Sequence, residues 1–426
     1  MTPNLRLVRS APDPLGLYIR VTRVGSPELQ SFIATRPIQF SGVVLEAKLV
    51  KQQKELLTLA QEKRIDVVLD PMAAAMATPG GYRPSMKELP WAKDRPHTAE
   101  DFKTPFAQRQ CAESLATYVM DHGFSQVLAP THLISEVDSP WLPIDIALAS
   151  NLRDALDRNG GKTVEVLYPL TISYEIFRTP EKRMAVISWL SAANVQGLWL
   201  NVAGCGADSN ATQIVRYCDA ATDFQSLGIP IVADHMGGLP GLSLMAFGGV
   251  GGIAHGLTLS ERLDVNSWRK PPSGRGFGPR VRVYIPQLDT SLSRDEAERF
   301  FEAGGGKARA RFGCHDSHCC PRGVEDMCTM PARHFLYQRS QQVAALGQVP
   351  ETLRPSWFLE DHIRPASDVA IIDQQLSLPE DLRKKMQTKA KGLNTLRTTL
   401  GPYAQERREK SFARHPKTRI ARVGNG

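Results

Sequence analysis

The sequence predicts an α/β protein built on a (β/α)8 barrel, followed by a C-terminal Cys/His zinc-binding subdomain and a basic helical tail. Three observations predict this order. Short apolar runs alternate with helix-length amphipathic stretches through most of the 426 residues, as in a parallel sheet covered by helices. A dense cluster of cysteines and histidines follows the last of these runs. Beyond the cluster, the chain becomes strongly basic.

The strand candidates are short and lack clean polar–apolar alternation, which is typical of strands buried on both faces. They lie at 43–45, 67–69, 126–128, 164–167, 198–200, 229–232, 252–254 and 281–285. The helix candidates between them lie at 50–63, 106–121, 144–158, 181–193 and 210–226. Eight such strands favour a closed barrel, and an open doubly wound sheet is the alternative. The strand count has its own alternative, in which 17–21 is the first strand and 281–285 lies outside the barrel.

The predicted boundaries divide the chain into four parts. Residues 1–40 are a lead-in, 41–305 the barrel, 306–350 the zinc-binding subdomain and 351–426 the basic helical tail. Within the barrel, the Pro-rich stretch 71–105 is predicted to be a loop over the barrel mouth.

The bulk composition is that of an ordinary globular chain, with 42% hydrophobic and 23% charged residues. No run of 18 apolar residues occurs, so we expect no membrane span, and the N-terminus lacks the apolar core of a signal peptide. The seven cysteines cluster instead of spreading as a disulfide framework, which favours the reducing cytoplasm. The sequence leaves the oligomeric state open, and a homo-oligomer is compatible with it.

The net charge of +8 is concentrated in the tail. Residues 381–426 hold thirteen Lys or Arg against three acidic residues, so the rest of the chain is close to neutral. Such asymmetry favours a polyanion partner, tRNA or DNA, and a merely solvated helix is the alternative. The candidate nucleic-acid-binding residues in the linker 268–280 and the tail are Arg275, Arg280, Arg407, Arg408 and Lys410.

The cluster from 314 to 334 holds four of the seven cysteines and three of the ten histidines. Zinc takes four sulfur or nitrogen ligands, and short spacings let one loop supply most of them. The candidate ligands are Cys314, Cys319, Cys320, Cys328 and His334, with His315 or His318 as substitutes. The spacing does not decide which four bind. A closed structural zinc site is favoured over a catalytic one, and a set of buried free cysteines is the alternative.

Two acidic residues end apolar strands at the predicted barrel mouth. Asp70 follows 67–69 and is a candidate catalytic base, with a turn cap as its alternative role. Asp234 adjoins His235 at another strand end, and because adjacent strand residues face opposite ways, only one of them can point inward. Candidate substrate-binding residues near other strand ends are Gly204, Gly237, Gly238 and His255.

The layout resembles the tRNA-guanine transglycosylase superfamily, including its relatives that act on DNA. The resemblance rests on 67–70, 196–206, 229–255 and the Cys/His cluster with its following helix, and it covers about residues 40 to 346. It implies a barrel enzyme that exchanges a guanine for a 7-deazaguanine at an N-glycosidic bond. It also implies a catalytic role for Asp70, contact between the Gly-rich strand around Gly204 and the base, and a structural zinc ion.

The sequence departs from this family at three places. The family's Cys-x-Cys-x-x-Cys spacing is absent, and Pro71-Met72-Ala73 replaces the Gly-Gly-Phe after the catalytic Asp. His255-Gly256-Leu257 stands where the nucleophilic Asp is expected, which leaves Asp234 as the candidate second carboxylate. Three hypotheses follow: a nucleic-acid base-modifying enzyme, a non-catalytic barrel that binds nucleic acid or a protein, and a barrel enzyme with a small-molecule substrate.

Overall fold

Eight parallel strands close into a barrel in the computed structural model, which describes residues 15–22, 25–36, 39–257, 261–269, 282–372, 376–407 and 412–416. The strands are β1 (Gly16–Val21), β2 (Gly42–Glu46), β3 (Asp66–Asp70), β4 (Gln126–Leu128), β5 (Glu165–Ile172), β6 (Gly197–Val202), β7 (Ile231–Asp234) and β8 (Gly252–Gly256). Each strand pairs with its neighbours, and β8 pairs with β1, so the sheet closes on itself. The structure therefore confirms the predicted (β/α)8 barrel.

Helices cover the outside of the barrel and connect its strands. They are α1 (Ser26–Thr35), α2 (Lys54–Glu62), α3 (Ala73–Met76), α4 (Pro105–His122), α5 (Trp141–Arg158), α6 (Tyr174–Arg178), α7 (Pro180–Leu190), α8 (Ala211–Phe224) and α9 (Gly238–Ala246). This layer buries the outer faces of the strands, which explains why the strand sequences are apolar on both faces. No helix in the described part of the chain has the length and apolar character needed to cross a membrane.

The barrel interior is filled by one side chain from each strand: Tyr18, Val44, Val68, Leu128, Leu167, Trp199, Val232 and Ala254. The rings of Tyr18 and Trp199 meet across this layer with centroids 5.0 Å apart. Because strand residues alternate between faces, the residue two positions after each of these also points inward, toward the C-terminal end of the barrel. This register determines which polar side chains meet at the barrel mouth.

β1 is the first barrel strand, as in the alternative strand count predicted from the sequence, and it shifts the barrel boundaries. β1 lies within the predicted lead-in and joins β2 to β8, so the barrel strands span 16–256 and not 41–305. The run at 281–285 is not a barrel strand. It forms β9 (Arg282–Ile285), which pairs antiparallel with β10 (Thr290–Ser293). It has no place in the barrel, because β1 already pairs with both β2 and β8 and closes the sheet.

The chain after the barrel is mostly helical. The hairpin is followed by the helices of the subdomain and tail, and the Cys/His cluster begins after the second of them: α10 (Arg294–Ala303), α11 (Gly305–Phe312), α12 (Val324–Thr329), α13 (Pro331–Gln348), α14 (Arg354–Phe358), α15 (Arg364–Ile372) and α16 (Glu380–Arg407). Helix α13 packs against β9 and α1, whereas α16 packs against α8 and α15. The subdomain and the tail are therefore built onto the flank of the barrel.

The segment 412–416 lies against the N-terminal end of the barrel. The Ala413 amide donates a hydrogen bond to the Gly248 carbonyl at 3.0 Å. A β-carbon at Gly251 would lie 2.1 Å from the Arg414 carbonyl oxygen, so only glycine permits this close approach. This packing accounts for part of the glycine run at 248–252, which precedes a strand and therefore cannot serve as a phosphate loop.

Arg407 does not present its charge to solvent, in contrast to the predicted nucleic-acid contact. Its guanidinium is fully buried and donates to the Phe247 carbonyl at 2.8 Å and to the Thr222 hydroxyl at 2.9 Å. The prediction failed because the amphipathic pattern of α16 did not reveal which face packs against the barrel. The other four candidates, Arg275, Arg280, Arg408 and Lys410, lie outside the described residues.

Replacing Arg407 with Ala should destabilise the protein by about 2–4 kcal/mol, because it leaves a cavity and the buried Phe247 carbonyl without its donor. Urea unfolding measures the change. The matched control is Arg397→Ala on the same helix, whose exposed guanidinium pairs with Asp368 at 3.0 Å and should contribute far less. Equal losses for the two variants would contradict the structural role of Arg407.

Candidate functional site

Polar side chains from five strands occupy the C-terminal end of the barrel, two residues beyond the interior layer. They are Arg20, Glu46, Asp70, Asn201 and Asp234, and all five line a pocket of about 240 Å³. The loop after β3 covers part of this pocket, since Met72 and Gly81 also line it. Active sites of (β/α)8 enzymes lie at this end of the barrel, so this pocket is the candidate active site.

Arg20 holds both candidate carboxylates. Its Nε and Nη2 donate to the two oxygens of Asp234 at 2.6 and 2.5 Å, and its Nη1 donates to Asp70 Oδ2 at 2.7 Å. Burial lowers the pKa of the guanidinium, but the two carboxylates outweigh burial and raise this pKa well above its usual range. Arg20 therefore stays charged and bridges β1 to β3 and β7.

The two carboxylates differ in how much of them a ligand can reach. Asp234 is buried, and its Oδ1 also accepts the His235 amide at 2.9 Å. Burial raises the pKa of this carboxyl, yet the Arg20 guanidinium and His235 hold it below the usual value. The Asp70 side chain is 19% exposed and lines the pocket, while its Oδ1 accepts the Met72 amide at 2.8 Å. Asp70 is thus the carboxylate that a ligand can contact, and Asp234 positions Arg20.

The sequence did not identify Arg20, Glu46 and Asn201 as members of this pocket. Asn201 is buried, and its Oδ1 has no hydrogen-bond donor among the described residues. Glu46 forms an ion pair with Lys48 at 2.9 Å, and both line the pocket. The two-residue alternation from Tyr18, Val44 and Trp199 was the available signal, but it requires knowing which residues form the interior layer.

His255 lies outside the pocket, although we predicted it to bind substrate. It stands between two residues of β8 that face inward, so its ring faces outward and contacts Phe335 with centroids 5.7 Å apart. Burial lowers the pKa of His255 to about 3, and nearby Arg339 adds to this effect. The imidazole is therefore neutral and serves as a packed side chain between the barrel and α13.

The three predicted glycines also do not line the barrel pocket. A β-carbon at Gly237 would overlap the carboxylate of Glu261, and Gly238 lines a separate cleft on the flank of the barrel. Gly204 adopts a positive φ of 83° in the turn after β6, which is a conformation that favours glycine. The sequence pointed to these positions because glycines follow strand ends there. In the structure they lie after β6 and β7, outside the pocket.

Three thiols and one imidazole meet in the subdomain. The Sγ atoms of Cys314, Cys319 and Cys320 and one ring nitrogen of His334 all lie within 4.8 Å of one another. The Cys319 and Cys320 sulfurs are 3.7 Å apart and lie 3.3 and 3.4 Å from His334 Nδ1. A tetrahedral ion with bonds of about 2.3 Å to sulfur needs sulfurs about 3.8 Å apart. The group can therefore hold a metal ion.

The surroundings of this Cys3His group orient its ligands. His334 Nε2 lies 3.1 Å from the Tyr284 carbonyl, which can only accept, so Nε2 carries the proton and Nδ1 is free for a metal. Hydrogen bonds from Cys319 and Cys320 lower the pKa of Cys314, and this sulfur in turn raises the pKa of the other two thiols. A bound cation would stabilise the thiolate forms of cysteines packed this closely.

Cys328 is not a member of the group, so its prediction as a ligand is wrong. It lies on α12 (Val324–Thr329), where its thiol is buried and its carbonyl accepts from Arg294. The two substitute histidines also lie apart: His315 donates to the Ala310 carbonyl, and His318 is exposed. The adjacent pair Cys319 and Cys320 both join the group, which the sequence spacing left undecided.

No sequence-family model matches the chain, and no curated protein matches it. Among solved structures, a GH10 xylanase from Bispora sp. MEY-1 is 12% identical, covering 57% of this chain and 83% of its own, with a TM-score of 0.37. An endo-1,4-beta-xylanase of Penicillium canescens is 9% identical, with 58% and 83% coverage and a TM-score of 0.39. KGPDC from Streptococcus mutans is 11% identical, with 60% and 93% coverage and a TM-score of 0.35. Likeness at this level carries no argument about activity.

Cys319→Ser and Cys320→Ser should each lower the metal content of the purified protein, because each removes one of the four ligands. Elemental analysis of protein prepared without chelators measures the metal per chain. Cys328→Ser is the matched control, since it removes a buried thiol of the same subdomain and should leave the metal content unchanged. Metal that is lost equally from all three variants would place the ion elsewhere.

Arg20→Met should destabilise the fold by about 3–5 kcal/mol at neutral pH, because Asp234 is left buried and unpaired. The wild-type pKa of Asp234 is lowered, so its contribution to stability is present above the unfolded value of 3.8 and is lost as the pH falls through the folded value. The gap in unfolding free energy between wild type and variant should therefore shrink in acid. Lys48→Met is the control, and a gap independent of pH would contradict the ion-pair assignment.

Proposed function

We propose that this protein is a nucleic-acid base-modifying enzyme that exchanges a base at an N-glycosidic bond, with the barrel pocket as its active site. The observation that carries the proposal is the pair of carboxylates bridged by Arg20 beside the unpaired carbonyl oxygen of Asn201. The layout of the sequence supports it through its resemblance to the tRNA-guanine transglycosylase superfamily.

Asp70 is the catalytic residue in this proposal. Cleavage of a glycosidic bond passes through a transition state with positive charge on the sugar, and a carboxylate beside it stabilises that charge or attacks the anomeric carbon. Attack by an Asp70 oxygen breaks the bond to the base nitrogen, which leaves with the bonding electrons and takes up a proton from water. An incoming base then displaces Asp70 by the reverse step and gives up its N–H proton to water. Arg20 and Asp234 keep Asp70 oriented.

Asn201 contributes base recognition. Its buried Oδ1 needs a donor, and the ring N–H and amino groups of a purine supply donors. The pocket of about 240 Å³ lies below the roughly 300–1,000 Å³ of drug-sized sites, so it suits one planar base with its sugar. Met72 and Trp268 line the same pocket and supply apolar contact surface.

Zinc is the proposed ion of the Cys3His group, where its role is structural. Thiolate and imidazole ligands select zinc over hard cations such as magnesium, and four protein ligands complete its tetrahedral coordination. Through the contact between His334 and the Tyr284 carbonyl, the ion would hold α13 against β9. Nucleic acid, tRNA or DNA, is the proposed partner, and the basic tail is the part of the sequence that favours it.

One observation favours the second candidate, a non-catalytic barrel that binds nucleic acid. Gly256 occupies the inward position at the end of β8, two residues after Ala254. In the tRNA-guanine transglycosylase superfamily, which the sequence resembles, this strand end carries the nucleophile. The effect of substituting Asp70 separates the two candidates, because a non-catalytic barrel does not depend on a reactive carboxylate.

Asp70→Asn should reduce base exchange by about 10²–10⁴-fold while leaving fold and metal content unchanged. The assay follows incorporation of radiolabelled guanine into RNA and DNA oligonucleotides by the full-length protein. Asp94→Asn is the control and should keep activity, since it neutralises an exposed carboxylate of the loop after β3 that does not line the pocket. Full activity in Asp70→Asn would overturn the role of Asp70, and no exchange by wild type on either polymer would favour the scaffold.

A further inference from the structure

A second cleft, of about 900 Å³, lies on the flank of the barrel. Its walls come from the starts of α8 and α9, the hairpin of β9 and β10, and the helices α13 and α16. Among the described residues, no side chain lines both this flank cleft and the barrel pocket. The flank cleft is therefore a separate candidate site.

Arg339 of α13 lines the flank cleft and is fully buried, with 1% of its side chain exposed. Its Nη2 lies 3.4 Å from Asp289 Oδ1 and 4.0 Å from Glu261 Oε1. Its Nε and Nη1 have no acceptor within the described parts of the chain. The guanidinium lies over the rings of Tyr284 and Phe335, 5.2 and 5.6 Å from their centroids. Buried donors without a hydrogen-bond acceptor are costly, so an acceptor from a ligand would stabilise this guanidinium.

The charges that line the flank cleft are predominantly positive. Five cationic side chains and three carboxylates line it: Arg262, Arg282, Arg339, Lys385 and Lys389 against Asp208, Glu261 and Asp289. Burial raises the pKa of Glu261 to about 7, so this carboxyl carries only part of its negative charge at neutral pH. The excess of positive charge suits a dianion better than a single carboxylate.

Asp289 positions the neighbouring donors, but among the described residues neither it nor any other group accepts from Nε or Nη1 of Arg339. Its Oδ2 accepts the Leu239 amide at 2.7 Å, and its Oδ1 accepts the Tyr284 hydroxyl at 3.0 Å. Lys389 Nζ lies 3.6 Å from the same carboxylate. Asp289 thereby holds Arg339 and Lys389 near one another, where both can meet one anionic group.

The remaining walls suit the organic part of a ligand. Apolar side chains from α9 and α16 line the flank cleft: Leu239, Pro240, Leu393 and Leu396. The volume of about 900 Å³ exceeds what a single inorganic anion needs and falls in the range of organic-ligand sites.

We infer that the flank cleft binds a phosphate-bearing organic ligand, with Arg339 and Lys389 as its anion-binding residues. The phosphate has two sources, a free mononucleotide or the backbone of a nucleic acid. The inference does not rest on base exchange, because the flank cleft contains none of the residues proposed for that reaction.

Calorimetric titration of the full chain at pH 8 tests this inference with inorganic phosphate, a nucleoside monophosphate and the matching nucleoside. We expect saturable binding of the two phosphates and none of the nucleoside. Lys389→Met should weaken phosphate binding by about 10-fold or more, since it removes a charged donor. Lys391→Met, an exposed residue of the same helix outside the flank cleft, is the matched control and should have no effect.

Two further variants test whether the charges of the flank cleft select a negatively charged ligand. Glu261→Gln should tighten phosphate binding at pH 8, where wild-type Glu261 is mostly ionised. Arg339→Met should abolish binding, and circular dichroism checks that it folds. If it does not fold, Lys389→Met and Glu261→Gln, with their opposite expected effects, decide the question.

An oligonucleotide distinguishes the sources of phosphate. Lys389-dependent binding of a single-stranded oligonucleotide, with no binding of the mononucleotide, would assign the flank cleft to a nucleic-acid backbone. Binding of the mononucleotide would assign it to a small molecule. The inference is overturned if no phosphate species binds saturably, or if Lys389→Met and Lys391→Met weaken binding equally.

Discussion

The ion pair between Arg20 and Asp234 is the interaction on which the barrel mouth depends. It joins the first strand to the seventh across the end of the barrel, at 2.5 and 2.6 Å, and both partners are buried. Either charge alone would be costly at this depth, so each requires the other. The pair also leaves one guanidinium nitrogen for Asp70, and this contact keeps the accessible carboxylate oriented toward the pocket.

The subdomain is connected to the barrel through a continuous set of polar contacts. His334, one of the four potential metal ligands, bonds to the Tyr284 carbonyl, and the Tyr284 hydroxyl bonds to Asp289. Asp289 then accepts the Leu239 amide in the first turn of α9. The Cys3His group, the flank cleft and a barrel helix thus share β9 and the turn after it.

The two sites differ in how their charges are satisfied. In the barrel pocket, Arg20 has carboxylate partners at all three nitrogens, and the unpaired group is a neutral amide oxygen of Asn201. In the flank cleft, two nitrogens of Arg339 have no acceptor among the described residues, and the third has longer contacts to Asp289 and Glu261, at 3.4 and 4.0 Å. The first arrangement suits a ligand that donates hydrogen bonds, and the second suits a ligand that accepts them. This difference supports separate ligands for the two sites.

The sequence by itself determined the repeated strand–helix units and the strand-end positions of Asp70 and Asp234, because local hydrophobic patterns and strand ends depend on neighbouring residues. It favoured a closed barrel over an open sheet, and the pairing of β8 with β1 decided between them. It also located the Cys/His cluster, since soft ligands were concentrated within one short segment. Tertiary structure decided which four of those residues meet, that β1 and not 281–285 completes the barrel, and that Arg407 and His255 are packed against other elements. Arg20 and Arg339 gain their roles from partners far away in sequence, and Asn201 gains its role from its place at the barrel mouth. Strand register and helix docking set these arrangements, and a local sequence pattern does not reveal them.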